Sequence, residues 1–149
     1  MNVTSQSQKT KSMNICPEGE YIARVGSEPG DVKAESVQYK KDPTKSYVQV
    51  TLMWEILDEN VKANLKQETL KVRDRFFIDI DPVTHRLAVG TDLNLTLNAR
   101  RAAVNLNSNV PFEFPMLRGA GPCRVRVKHS TDEGDKTIKF AEVEHATVI

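Results

Sequence analysis

Lys71, Arg73 and Arg75 occupy alternate positions in the run Glu68 to Ile80, and Phe77 follows on the same parity. On a strand, residues two apart point to one face, so three cations and a ring would share a row. In the run YVQVTLMWEIL (Tyr47 to Leu57), Tyr47 falls on the parity opposite Val48, Val50, Leu52, Trp54 and Ile56. If the two runs pair through their apolar faces, Tyr47 joins the cationic face. Cations that track phosphates beside flat rings that stack bases are the ingredients of sequence-tolerant single-strand binding. Tyr39, Lys40, Lys41 and Lys45 lie just before Tyr47 in a long polar connection, and connections of that length are often binding elements. Arg124 and Arg126, with Lys128, form a second basic stripe in CRVRVKH, and the sequence does not fix where it points. A bland reading stands beside this one, because charged residues on alternate exposed strand positions also discourage edge-to-edge aggregation.

Catalytic chemistry has weaker support. Asp79, Asp81 and His85 in DIDPVTH could be drawn as a metal or acid–base cluster, yet Asp-Pro at a strand end is ordinary turn chemistry. His129 and His145 sit near strand ends without a visible nucleophile partner, and no GxSxG, Walker A, GxGxxG or HExxH motif occurs. The expectation is a protein with no enzymatic activity, no metal site and no cofactor.

Several elements must position these residues. The two central runs alternate with period two and read as half-buried strands. Asp74 is the misfit on the apolar face of the second, and Trp54 has the parity of a core residue. Glu20 to Ser27 is a short first strand, and residues 31–46 read as a polar connection. DENVKANLKQ reads as a flexible link. Thr91 or Asp92 is the expected N-cap of a helix through LNLTLNARRAAVNLN, with Leu95, Ala99, Ala102 and Leu106 on its inner face. PFEFPML is irregular because two prolines exclude a central strand. Cys123 to His129 and Lys136 to Val148 form a closing hairpin around Asp132-Glu133-Gly134-Asp135. Three strands, a helix and two strands give a mainly β chain with the element order of the OB-fold, a five-stranded Greek-key barrel.

The 149 residues suit one domain at 17–149 behind a disordered polar tail at 1–16. With 39% hydrophobic and 28% charged residues, one compact core is affordable to a water-soluble chain. The net charge of +1 provides no global pull toward nucleic acid, so attraction must come from local clustering. Two cysteines far apart, without CxxC or histidine spacing, argue against a disulfide framework or a zinc site. No apolar run approaches the roughly 18 residues of a membrane span, and the N-terminus lacks an apolar signal. A cytoplasmic location away from membranes is expected.

The chain resembles small phage-encoded proteins found among replication and recombination genes, including OB-fold single-stranded DNA-binding proteins. The likeness runs from PEGEYIARV (Pro17 to Val25) through the central strands to RLAVGTDLNLTLNARRAAVNLNSN (Arg86 to Asn109). It continues into PFEFPMLRGAGPCRVRV (Pro111 to Val127). It is a likeness of turns and strands, with no diagnostic catalytic motif. It implies a protein that coats single-stranded DNA during phage replication or recombination, in the host-cell cytoplasm, beside other phage replication or recombination proteins. Many such proteins recruit partners through an acidic tail, whereas this sequence closes on FAEVEHATVI. The competing expectation is a protein-interaction or virion structural module on the same small β fold. Unpaired edges in either case leave room for a homodimer.

Overall fold

The computed structural model describes residues 15–38, 41, 46–81, 83–84, 86–88, 93–107 and 112–149. Among these residues six strands form one sheet: β1 (Gly19–Val25), β2 (Val32–Gln38), β3 (Ser46–Ile56), β4 (Lys71–Ile78), β5 (Cys123–Thr131) and β6 (Lys139–Thr147). Helix α1 (Glu59–Asn64) joins β3 to β4, and α2 (Leu95–Ala103) lies between β4 and β5. The pairings run β1–β5–β6–β4–β3, and β3 returns to β1, closing a ring with β2 attached to β3. All are antiparallel except β4–β6. The mainly β, OB-like order with a helix before the last two strands is what the sequence led us to expect.

The core follows from the alternation. Val50, Leu52, Trp54 and Ile56 of β3 are fully buried, and β4 buries Val72, Phe76 and Ile78 against them. The antiparallel register sets Val50 beside Phe76 and Trp54 beside Val72. Ala23 and Val25 of β1 and Cys123, Val125 and Val127 of β5 complete the inner wall. At about 25 cal/mol per Å² of apolar surface, each buried Val, Leu, Ile or Phe contributes roughly 1.5–3 kcal/mol.

Three local features depart from expectation. The first half of the 31–46 connection is strand β2, paired with β3 from Val32–Leu52 to Gln38–Ser46. Its sequence VKAESVQ has too few apolar residues to announce a strand, and the ladder with β3 holds it. The supposedly flexible link contains α1, whose first amides are capped: Asp58 Oδ1 accepts from Asn60 N–H at 3.0 Å and Val61 N–H at 3.1 Å. Helix α2 is rotated from the expected phase. It buries Leu97, Arg100 and Ala103, whereas Leu95 is 61% exposed and Ala99 is also exposed. The expected caps Thr91 and Asp92 lie outside the described residues. The N-cap is Asn94, in the left-handed region at φ 55°. Its side chain accepts from Asp79 N–H at 2.6 Å and donates to the Asp79 and Ala88 carbonyls, tying the helix start to the end of β4.

The rotation has a cause in the misfit Asp74. Its carboxylate, 1% exposed, accepts from Trp54 Nε1 at 3.0 Å, Arg100 Nε at 2.6 Å and Arg100 Nη2 at 3.3 Å. Arg100 Nη2 also donates to the Glu144 carbonyl at 3.2 Å. Burying a charge is tolerable only when it is paired and hydrogen-bonded, and this cluster joins β3, β4, α2 and β6.

Residues 1–14 of the expected tail lie outside the described residues, while Cys16 is 1% exposed and belongs to the core. Both cysteines are free. Burial pushes the Cys16 and Cys123 thiols up from 9.0 to about 11, with the Tyr21 hydroxyl and the Arg100 charge respectively opposing the rise. Folding therefore favours the protonated thiols. That contribution is complete below pH 9.0, where the unfolded thiol also holds its proton, and is lost as pH climbs through about 11. We expect urea midpoints to fall across this window. Replacing both cysteines with serine should remove their share of the fall and leave that of Tyr21, which burial pushes up from 10.0 to about 12. Alkylation of both thiols at neutral pH should be slow until the chain is unfolded.

Candidate nucleic-acid interface

The outer face of β4 carries Lys71, Arg73, Arg75 and Phe77 at intervals of about 7 Å, because their neighbours Val72, Asp74, Phe76 and Ile78 are drawn inward. Across the ladder, β3 sets Glu55, Met53, Thr51 and Gln49 opposite them in that order. On the other side, β6 brings Glu142 into register with Arg73. A cavity of about 600 Å³ opens over this face, lined by Met53, Lys71, Arg73, Arg75 and Phe140, with Asp132 from the β5–β6 turn and Cys16 at its margins.

The cations of the row differ in their surroundings. Lys71 Nζ donates to Asp31 Oδ2 at 2.9 Å and Oδ1 at 3.0 Å, and lies 3.5 Å from Glu28 Oε2. The hydrogen bond to Asp31 holds its ammonium above the ordinary lysine value, in spite of burial. Asp31 is itself 5% exposed and also accepts from Glu28 N–H at 3.0 Å. A β-carbon at Gly26 would run into this carboxylate, so only glycine fits there. Lys71 therefore compensates a buried acid, and its charge is largely spent. Arg73 stacks on Phe140, with Cζ 5.1 Å from the ring centroid, a cation–π contact. Arg75 is exposed. Neither arginine has an ion-pair partner within 4.0 Å among the described residues.

At the far end of the row the Phe77 ring is 60% exposed and meets Tyr47 edge-on, with centroids 4.8 Å apart and planes at 86°. The structure thus brings Tyr47, Lys71, Arg73, Arg75 and Phe77 onto one face. Tyr39, Lys40 and Lys45 lie outside the described residues, and Lys41 is exposed. Arg124 and Arg126 stand apart on β5, with β6 between them and β4, and neither lines the cavity. Arg126 is 3.8 Å from both Glu20 and Glu144. Trp54 is fully buried and unable to stack on a ligand.

Phe140 is the site residue that sequence reasoning missed. Its parity with Glu142 and Glu144 on the outer side of β6 was the available signal, and the weak alternation of that strand obscured it. Asp81 serves a turn, its Oδ1 accepting from Val83 N–H at 2.8 Å and Thr84 N–H at 3.1 Å, while Asp79 is exposed and is tied through its backbone to Asn94. His85 lies outside the described residues. Among the described residues no three His, Cys, Asp or Glu side chains converge on a metal-sized site, and no helix is long and apolar enough to cross a membrane.

The class that emerges is a small β protein whose ring of strands presents a cationic, aromatic groove on the outer face of β4. No protein-family model, curated protein or solved structure matches the chain.

Proposed function

We propose that the chain binds single-stranded nucleic acid, DNA in the first instance, across the outer face of β3 and β4, and that it acts without catalysis. The observation that carries this reading is the pairing of two arginines, Arg73 and Arg75, without carboxylate partners among the described residues, with aromatic surfaces at both ends of their row. Phosphates run along the arginines, and bases stack on Phe77 and beside Phe140. OB-type sheets use the equivalent strands for oligonucleotides. The resemblance to phage replication and recombination proteins supports a role in coating exposed strands in the host cytoplasm.

The test is fluorescence anisotropy with a labelled mixed-sequence oligonucleotide of about 30 nucleotides, long enough for several single-strand sites. It is run as single-stranded DNA, single-stranded RNA and duplex. Two or three phosphate contacts predict a log–log salt slope between about −1.4 and −2 for the single strand, with much weaker duplex binding. Equal affinity for RNA would widen the ligand class. Absence of binding at low salt would overturn the proposal and leave the face as a protein-contact surface.

A further inference from the structure

Every strand of the ring uses both of its edges, but among the described residues β2 pairs only with β3. The 3-10 turns Pro29–Asp31 and Phe114–Leu117 pack against β2. Among the described residues, no backbone hydrogen bond outside its ladder with β3 reaches residues 33–38. Half of the backbone donors and acceptors of this strand therefore face outward. An open edge is a template for another strand. Lys33, Ala34, Glu35 and Ser36 are all exposed along it, with no proline and no register shift in its pairing.

We propose that β2 pairs edge-to-edge with β2 of a second copy of this chain, antiparallel about Ala34. Two-fold antiparallel pairing sets residue i opposite residue j with a constant even sum, so only a few registers exist. Centring on Ala34 sets each Lys33 opposite the other copy's Glu35, giving two unlike-charge pairs on one face. The small Ala34 side chains meet at the axis. Centring on Glu35 opposes two carboxylates, and centring on Lys33 opposes two ammonium groups, both unfavourable arrangements. The strand is thus self-complementary in one register. The contact is short against the roughly 1,200–2,000 Å² of a stable interface, so the dimer is reversible and concentration-dependent. It makes one continuous outer face from both copies, whatever occupies the groove.

Sedimentation velocity on the full chain from micromolar to millimolar concentration reads the association. The wild type should pass from monomer to dimer. Lys33→Glu and Glu35→Lys each turn two attractions into two repulsions and should weaken the dimer about thirtyfold. Both sites are exposed, so melting curves should stay in place. Mixing the two variants restores both attractive pairs in a heterodimer, and the double variant Lys33→Glu/Glu35→Lys restores them in a homodimer. A wild type that stays monomeric throughout would overturn the proposal. So would a dimer indifferent to either single change, or a mixture that fails to recover association.

Discussion

Replacing Asp74 with alanine should cost about 3–5 kcal/mol of stability, the range for removing one partner of a buried ion pair. The change leaves the Arg100 guanidinium, 4% exposed, without its counter-charge and Trp54 Nε1 without an acceptor. Small domains have roughly 5–15 kcal/mol in total, so this variant would sit near the edge of folding. Asp74→Leu combined with Arg100→Met should lose far less, because apolar replacement of both partners removes the desolvation cost together with the attraction. Urea denaturation measures both, with an unchanged dependence on denaturant as the sign that the unfolded state is unaltered. A loss below about 1 kcal/mol for Asp74→Ala would place this pair with exposed ones. The cluster also fixes the candidate binding face, since Asp74 lies between Arg73 and Arg75 and its anchorage turns both of them outward.

The second large effect concerns those arginines. Arg73→Ala with Arg75→Ala should weaken single-strand binding at least tenfold and reduce the salt slope by about 1.4, the share of two phosphates. Stability should move by no more than about 1 kcal/mol, the worth of an exposed cation–π contact such as that of Arg73 on Phe140. Lys71→Ala should behave in the opposite way. It leaves the Asp31 carboxylate buried without its cation, so stability falls while the salt slope stays put. Phe77→Ala should cost about 1–3 kcal/mol of binding, the worth of one stacked base. Anisotropy titrations at several salt concentrations, paired with urea melts of the same variants, separate the two behaviours. If Lys71→Ala alone carried the salt dependence, the division of the row into structural and binding cations would be wrong.

The legible part of this fold was what alternation controls. β3, β4 and β5 were readable because one parity of each is almost wholly apolar, and Trp54 took the core position its parity assigns. Strand β2 was not, since VKAESVQ owes its conformation to a neighbour in the sheet. Helix α2 was found in place but turned, because Arg100 is drawn to a carboxylate 26 residues away. The same long-range blindness applied at the site. The row on β4 was visible as a pattern, but the sequence could not tell that Asp31, 40 residues distant, holds Lys71. Nor could it tell that β6 slides beside β4 in parallel to set Phe140 under Arg73. Pairings across a closed ring are properties of topology, and local patterns carry no record of them.

Amide chemical-shift mapping with a short single-stranded DNA would locate the binding face residue by residue. The largest changes should fall at Arg73, Arg75, Phe77 and Phe140, extending to Met53 and Asp132 at the rim of the cavity, with Arg124 and Lys128 on β5 unmoved. Changes concentrated on β5, or none at saturating oligonucleotide, would contradict the proposed interface.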